Sequence, residues 1–267
     1  MSELIHFAHG NGFPALCYSQ MLSELASHFK YCYIDKIGHN PLYPVDDNWS
    51  RLVAELIHSV QSQADKPVIA LGHSLGGVLS LMAAIKEPSL FKAVILLDSP
   101  LIGPFKSNMI RLAKALGVID RITPAYRTKG RKERWENKTQ LISYLRTRPL
   151  FKTFTDECLE DYITYGLEKG PEGYCLRFDR HIEYQIYRTI PHDLPQLKGK
   201  LTVPSALIYG DASTVIDPAD RRYMSSHFGI KIQKIKGSHL FPMETPQLAA
   251  KQITHVIEKL LGKLKEA

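Results

Sequence analysis

Residues 67–77 read Pro-Val-Ile-Ala-Leu-Gly-His-Ser-Leu-Gly-Gly, and they are the most informative part of the sequence for the fold. The apolar run 67–71 has the composition of a β-strand that is buried on both faces of a parallel sheet. Residues 72–76 fit the pattern G-x-S-x-G, in which a tight turn between a strand and a helix raises a serine hydroxyl above the sheet. Glycines stand two residues before and two residues after Ser74 because such a turn leaves no room for a Cβ atom. The stretch therefore predicts a strand, a sharp turn and a small-residue helix that runs to Lys86.

Strand and helix patterns alternate on both sides of this stretch. Short apolar runs predict strands, and apolar residues at helical spacing predict helices. The expected strands cover 4–8, 31–35, 93–98, 205–210 and 231–235, and the expected helices lie in 15–30, 49–63, 218–227 and 245–261. This alternation predicts an α/β fold with one mostly parallel sheet that is covered by helices on both faces.

The alternation is interrupted between residues 99 and 200. This segment has helical patterns at 108–116, 138–148 and 157–167 but no repeat of strand, turn and helix. It follows one expected sheet strand and precedes another, which is the position of a lid over the strand ends. We expect residues 1–98 and 201–267 to form the core and residues 99–200, called the cap segment below, to form a helical lid.

Composition favours a globular protein without a membrane span. Apolar residues make up 44% of the 267 residues and charged residues 23%, which is ordinary for a globular protein. No apolar run approaches the roughly 18 residues that span a bilayer, and the N-terminal residues lack the pattern of a signal peptide. A cytoplasmic location is therefore expected.

The net charge of +7 is concentrated in the cap segment. From Ser99 to Lys200 there are 19 Lys and Arg residues against 12 Asp and Glu residues, which accounts for the whole imbalance. The densest part is the basic run 127–135. We interpret it as a solvated face of the cap segment, although contact with a nucleic acid, an anionic membrane or an acidic substrate stays open. No nucleic-acid partner is expected.

The cysteines do not indicate a metal or redox site. None of them has the close spacing of a zinc or redox motif, so we expect buried or incidental thiols. The four residues are Cys17, Cys32, Cys158 and Cys175. No pair of histidines has ligand spacing beside a carboxylate either, and we predict neither a metal nor a cofactor.

Four landmarks resemble the α/β-hydrolase superfamily, and the resemblance extends from residue 4 to about 261. They are the turn 9–14, the D-x-x-G-H segment 35–39, the G-x-S-x-G turn 72–77 and the histidine loop 237–242. Most members of the family have two further strands before the first turn, whereas only eight residues precede His9. The resemblance therefore implies a sheet that is trimmed at the N-terminus to about six strands.

The resemblance also implies catalytic roles. Ser74 would be the nucleophile and His239 its general base. The backbone amides of Leu75 and Asn11 would bind the oxyanion, assisted by the helix that begins at Ser74. His9 and His73 lie in turns rich in backbone groups, where we expect them to form hydrogen bonds with the main chain.

The sequence leaves two candidates for the acid that orients His239. The positions at which the family usually carries this aspartate are occupied here by Ser213 or Thr214, depending on the alignment register. Asp98, at the end of the strand after the small-residue helix, is our first candidate because a carboxylate there could hold the imidazole. Asp211 is the alternative acid.

A serine nucleophile implies acyl transfer to water, and it excludes the family branches that have aspartate at the turn. The leading hypothesis is hydrolysis of a carboxylic ester with a small or medium apolar acyl group in a pocket under the cap segment. Tyr184 and Tyr187 could line that pocket or pack inside the cap. A thioesterase, a lactonase, a carbon–carbon bond hydrolase and a non-catalytic protein that binds a small ligand are the alternatives.

Overall fold

The computed structural model of the protein describes residues 2–262. Met1 and residues 263–267, which belong to the expected core segments, lie outside the described residues. In this range the strands are β1 (Leu4–Ala8), β2 (Lys30–Tyr33), β3 (Val68–His73), β4 (Phe91–Leu97), β5 (Arg134–Trp135), β6 (Leu167–Gly170), β7 (Gly173–Leu176), β8 (Ser205–Gly210) and β9 (Lys231–Ile235).

The α-helices flank these strands. They are α1 (Ser19–Ala26), α2 (Ser50–Gln63), α3 (Leu75–Lys86), α4 (Pro104–Ala115), α5 (Ile119–Ile122), α6 (Ala125–Lys129), α7 (Lys138–Arg146), α8 (Asp156–Tyr165), α9 (Arg180–Arg188), α10 (Pro218–Phe228), α11 (Phe241–Glu244) and α12 (Pro246–Leu260). Within residues 2–262, none of the helices is both long enough and apolar enough to cross a membrane.

Within the described residues, the main sheet has six strands in the order β2-β1-β3-β4-β8-β9, and all neighbouring pairs are parallel. The predicted parallel sheet is confirmed. Ala8 is paired with Gly72, and His73 is paired with Leu97. The ends of β1, β3 and β4 therefore lie side by side, and the loops that follow them meet at one edge of the sheet.

Both faces of the sheet are buried, as the apolar run 67–71 predicts. Ile69 and Leu71 pack into one apolar cluster together with residues of α1 and α12. Val68 and Ala70 point to the opposite face and pack with residues of α2 and α3. Successive side chains of a strand point to opposite faces, so each strand contributes to both layers.

The cap segment is not purely helical, and the prediction of a helical lid has to be corrected in this respect. It contains α4 to α9 and an antiparallel sheet in the order β5-β7-β6. These strands have only two to four residues, too few for a period of two to stand out from the sequence. The Gly-Pro-Glu-Gly turn at 170–173 is the signal that could have indicated the hairpin of β6 and β7. The division into core and cap at residues 99 and 200 stays a prediction.

Aromatic side chains connect the cap segment to the turn after β1. The ring of Phe13 lies 5.5 Å from that of Tyr162 and 6.1 Å from that of Phe151, measured between centroids. All three side chains are buried, so their contacts stabilise the fold through the apolar surface that they bury and through the arrangement of the rings. This part of the cap is thereby packed against the first turn of the core.

A buried carboxyl group fixes the loop after β2. Glu55 of α2 accepts a hydrogen bond of 2.9 Å from the Gly38 amide, and the amide of the preceding residue, Ile37, donates to His9 Nε2 at 2.8 Å. Glu55 is only 5% exposed, and this burial raises the pKa of its carboxyl from the usual 4.5 to about 7. The folded chain therefore holds the proton of Glu55 more tightly than the unfolded chain does.

We expect the Glu55→Gln substitution to remove one component of the pH dependence of stability. Because the folded pKa is raised, the contribution of Glu55 is present at low pH and is lost as the pH rises towards and beyond 7. Between about pH 5 and pH 8, the free energy of unfolding of the wild type should fall by about 2 kcal/mol relative to that of the variant. Urea unfolding at several pH values measures this difference, and parallel curves for the two proteins would contradict it.

Candidate active site

Ser74 lies in a strained turn between β3 and α3. Its backbone has φ 51° and ψ −115°, a conformation that residues other than glycine rarely adopt. A Cβ atom on Gly72 would lie 2.3 Å from the carbonyl oxygen of Gly76, and one on Gly76 would lie 2.0 Å from the carbonyl oxygen of Ala8. Only glycines fit at these two positions, so the G-x-S-x-G pattern corresponds to a physical requirement of the turn.

The Ser74 side chain is half-buried at the end of β3, and its amide donates to the carbonyl of Leu97 at 2.9 Å. Among the described residues, its Oγ has no hydrogen-bond partner. In structures without substrate, catalytic hydrogen bonds are often long and shorten when the substrate is bound. The hydroxyl is thus unengaged at the edge of the sheet where the loops meet.

His239 lies in the loop after β9, and its ring is oriented by Asp98. His239 Nδ1 lies 2.7 Å from Asp98 Oδ2, and the imidazole side chain is 27% exposed. A carboxylate accepts hydrogen bonds, so we assign the proton of the neutral ring to Nδ1. Nε2 is then the nitrogen with a lone pair, which is the tautomer that a general base needs.

The Asp98 carboxylate is fully buried and accepts three hydrogen bonds. In addition to His239, the Gly210 amide donates to Oδ1 at 3.0 Å and the Ser213 hydroxyl donates to Oδ2 at 2.5 Å. These donors satisfy a group that would be costly to bury alone. Asp98 has φ 45°, so Ser74 and Asp98 both lie in the left-handed region.

Asp211, the alternative acid, is placed elsewhere. It is exposed, and its Oδ1 accepts a hydrogen bond of 3.0 Å from the Gly237 amide, which connects the loops after β8 and β9. It has no hydrogen bond with His239 among the described residues. Ser213, which stands where the family usually has its acid, donates a hydrogen bond to Asp98. The structure therefore brings Asp98, and not Asp211, together with His239.

The two predicted oxyanion amides lie where the first turn meets α3. Leu75 is the first residue of α3, so its amide has no partner within the helix. Asn11 belongs to the turn after β1, and its side-chain amide donates to the carbonyl of Glu183 at 3.0 Å, which fixes this turn against α9. A Cβ on Gly76 would also lie 2.8 Å from the carbonyl oxygen of His9, so the turn and the start of α3 are in direct contact.

A series of hydrogen bonds connects the turn after β1, the end of β3 and the loop after β9. The Gly10 amide donates to the Tyr18 hydroxyl at 3.1 Å, and this hydroxyl lies 2.7 Å from His73 Nδ1. His73 Nε2 lies 2.9 Å from the backbone carbonyl of His239, to which it donates. Burial lowers the pKa of His73 well below its usual value and keeps the ring neutral. Tyr18 has no sequence signal for this role because its partners are distant in the chain.

Polar groups of the cap segment cover the first turn. Arg131 pairs with Glu183 at 2.6 Å and donates to the hydroxyl of Tyr162 at 2.7 Å. A Cβ on Gly12 would lie 2.9 Å from the Glu183 carboxylate, so this ion pair lies directly on the turn. The interpretation of the basic run as a solvated face is therefore wrong for Arg131, whose guanidinium is largely buried, whereas Arg127 is exposed.

Tyr187 belongs to the same polar group. Burial and the nearby Glu183 raise the pKa of its phenol, and its hydroxyl interacts with the Asn11 side chain. Tyr184, in contrast, donates to Asp120 at 2.5 Å within the cap segment. Of the two predicted aromatic residues, Tyr187 thus lies beside the turn that carries Asn11, and Tyr184 interacts within the cap segment instead.

Two surface clefts lie away from Ser74. A cleft of about 450 Å³ is lined by the loop after β8, including Ser213 and Asp211, and one of about 400 Å³ lies between α1 and α12. Neither is lined by Ser74 or His239, so the enclosed apolar pocket stays a prediction. Within residues 2–262, no group of three or more His, Cys, Asp or Glu residues could hold a metal ion.

Comparison with known proteins identifies the family. The sequence profile of the Alpha/beta hydrolase family matches residues 7–252, which is most of the chain. The chain therefore belongs to the alpha/beta hydrolase family, and the resemblance of the four sequence landmarks is confirmed.

Individual relatives are distant. The chain is 26% identical over 216 residues to the uncharacterized hydrolase YugF of Bacillus subtilis (strain 168), with 79% of this chain and 71% of that protein covered. A solved E-2-(acetamidomethylene)succinate hydrolase is 20% identical with a TM-score of 0.78, covering 97% of this chain and 92% of the other. A thioesterase domain from the curacin biosynthetic pathway is 20% identical with a TM-score of 0.70, covering 95% and 91%. At this level of identity, the two structures support the fold alone.

The hydrogen bonds of the two aspartates predict opposite results for their asparagine variants. Asp98→Asn keeps the shape but removes the charge that holds His239, and we expect kcat for a nitrophenyl ester to fall on the order of 10⁴-fold. Asp211→Asn should retain most of the activity because this side chain has no contact with His239. Steady-state kinetics of both variants, with circular dichroism as a control for folding, measure the effect. An active Asp98→Asn variant together with an inactive Asp211→Asn variant would reverse the assignment.

Proposed function

We propose that the protein is a serine hydrolase that cleaves a carboxylic ester, or a related acyl bond, through an acyl-enzyme intermediate. Ser74 is the nucleophile, His239 the general base and Asp98 the acid that orients the base. The observation that carries the proposal is the 2.7 Å contact between His239 Nδ1 and the buried Asp98 carboxylate. The loop of His239 is held beside the strained turn of Ser74, because its backbone carbonyl lies 2.9 Å from Nε2 of the preceding residue, His73. This arrangement follows the logic of nucleophile, base and orienter.

The first half of the reaction forms the acyl-enzyme. Ser74 Oγ attacks the substrate carbonyl carbon while His239 Nε2 takes the hydroxyl proton. Asp98 stabilises the imidazolium that results. The tetrahedral intermediate then collapses, the bond to the leaving group breaks, and His239 transfers its proton to the leaving alcohol. The acyl group remains bonded to Ser74 Oγ.

The second half returns the enzyme to its starting state. His239 removes a proton from a water molecule, and the oxygen of that water attacks the acyl carbon. The bond to Ser74 Oγ breaks, and the imidazolium returns a proton to the serine. This half releases the carboxylic acid and the free enzyme, and the first half has released the alcohol, so one water molecule is the only reactant consumed besides the ester.

The oxyanion of both tetrahedral intermediates would bind to the amides of Leu75 and Asn11. Neither amide donates a hydrogen bond within the described part of the chain, so both are available to a ligand. Removal of a single donor of this kind typically costs about 10² to 10³ in kcat, which makes it a large contribution to catalysis. The N-terminus of α3 adds a partial positive charge at the same point.

The proposed substrate is a small molecule with a small or medium acyl group. The cap segment lies against the first turn through Phe13, and Tyr187 lies beside Asn11, so both apolar and polar side chains are present next to the proposed oxyanion site. A thioester or a lactone offers the same electrophilic carbonyl to Ser74. Since these bonds need the same catalytic groups, the choice among them depends on the leaving group and on the pocket.

A fluorophosphonate probe tests the proposal most simply, because it reacts only with an activated serine. We expect the folded protein to be labelled at Ser74, and peptide mapping by mass spectrometry identifies the residue. Ser74→Ala should abolish labelling, whereas Ser226→Ala, which removes an exposed serine on α10, should leave it unchanged. Heat-denatured protein should not react.

Two outcomes would contradict the proposal. If the folded wild type is not labelled, Ser74 is not activated, and a protein that binds a small ligand without turnover becomes the better hypothesis. If labelling occurs at another serine, the assignment of the nucleophile is wrong.

A further inference from the structure

Helix α4 of the cap segment presents an apolar stripe to the surface. Phe105 is 78% exposed, Met109 51%, Leu112 60% and Leu116, which directly follows the helix, 65%. Residues spaced by four, three and four positions lie on one side of a helix. Large apolar side chains at such positions normally face the core, so this orientation is the reverse of the usual one.

The inner side of α4 is polar or small, and it is attached to the core. Ser107 is buried and donates to the backbone carbonyl of His192. Lys106 pairs at 2.6 Å with Asp220, whose carboxylate is 4% exposed, and Lys114 pairs with Asp47. These contacts hold the helix in its orientation, so the exposed apolar stripe is a fixed feature of the surface.

Two further large apolar side chains are exposed on the short helices that follow α4. Ile122 is 53% exposed at the end of α5, and Tyr126 is 58% exposed on α6. Together with the four residues on and next to α4, these side chains are called the cap stripe below. Six large apolar side chains exposed within 22 consecutive residues exceed the scattered single exposures that are normal on a protein surface.

Basic residues accompany the cap stripe. From Gly103 to Arg131 there are seven cations and one acidic residue. The acidic residue, Asp120, is already paired with Arg188 at 3.0 Å. Four of the cations are exposed, namely Arg111, Arg121, Arg127 and Lys129. The other three cations are paired with acidic residues of other elements, so the positive charge beside the cap stripe comes from these four exposed cations.

We propose that the cap stripe is a peripheral docking surface for an anionic lipid bilayer. A helix that carries bulky apolar residues on one side and basic residues beside them lies in the plane of the interface. The apolar side chains enter the boundary between headgroups and acyl chains, and the exposed cations attract the anionic headgroups. This mode needs no spanning helix, and it does not depend on the chemistry at Ser74.

The charges favour a lipid surface over a second copy of the chain. In a symmetric dimer the same patch meets itself, which would bring Arg111 and Arg121 near the corresponding cations of the partner. Like charges that face each other across an interface oppose association. An anionic bilayer complements both the apolar and the basic parts of the surface.

Vesicle sedimentation tests the inference. The intact protein is mixed with vesicles of phosphatidylcholine alone, or of phosphatidylcholine with phosphatidylglycerol, and the bound fraction is measured. We expect the affinity for the anionic vesicles to be at least about tenfold higher than the affinity for the neutral vesicles. Binding to the anionic vesicles should weaken as the salt concentration rises. The double variants Phe105→Asp/Leu112→Asp and Arg111→Glu/Arg121→Glu should each lower the affinity about tenfold or more.

The matched control is Leu248→Asp on α12, where an exposed leucine lies outside the cap stripe. This variant should bind vesicles as the wild type does, and circular dichroism should show all variants folded. No preference of the wild type for anionic vesicles, or unchanged binding of the Phe105→Asp/Leu112→Asp variant, would overturn the inference. A third outcome would also overturn it: the wild type binds no vesicles, light scattering shows that it is a dimer, and the Phe105→Asp/Leu112→Asp variant is a monomer. The cap stripe would then be an interface between two copies of the chain.

Discussion

The candidate site depends on one steric constraint, the contact between the start of α3 and the end of β1. A Cβ atom on Gly76 would lie 2.0 Å from the carbonyl oxygen of Ala8, so the helix approaches the strand as closely as two backbones allow. This approach forces the chain through a sharp turn, and Ser74 takes a backbone conformation with φ 51°. The same contact brings the first amide of α3 next to the turn that carries Asn11. The position of the nucleophile and that of the proposed oxyanion site thus have one cause.

Buried hydrogen bonds then fix the remaining loops around this turn. Tyr18 and His73 connect the turn after β1 to the backbone of His239, and Asp98 connects the ring of His239 to the loop after β8. Each group in this series of hydrogen bonds needs its partner, because a buried donor or acceptor that is left unpaired lowers the stability of the fold by about 1 to 3 kcal/mol. Rigid placement by such supporting hydrogen bonds is what a preorganised catalytic site requires.

Sequence reasoning predicted the elements whose signals are local. The apolar run before Ser74 and the glycines around it act on neighbouring residues, and the strand, turn and helix are found where these signals indicate. The partner of His239 has no local signal, because Asp98 lies 141 positions away in the sequence. Only the strand order β4-β8-β9 brings the residue after β4 close to the loop after β9. Two aspartates therefore stayed open at the level of sequence.

Other features gave no readable signal in the sequence. Tyr18 resembles any core aromatic residue, and its hydrogen bonds depend on loops that are far apart along the chain. Arg131 lies in a basic run that resembles a solvated surface, yet it is buried against Glu183, which is 52 positions away. The orientation of α4 follows from ion pairs of Lys106 and Lys114 with the core, and no pattern within the helix predicts it. In each case the deciding partner is distant in sequence.

A crystal structure of the protein with a phosphonate bonded to Ser74 would test the proposed site, because the phosphonyl oxygen occupies the position of the oxyanion. We expect this oxygen to lie about 2.7–3.1 Å from the amides of both Leu75 and Asn11. His239 Nε2 should face Ser74 Oγ while Nδ1 keeps its hydrogen bond to Asp98. If the phosphonyl oxygen points away from both amides, or if the His239 ring has left Asp98 in the adduct, the proposed arrangement of the site is wrong.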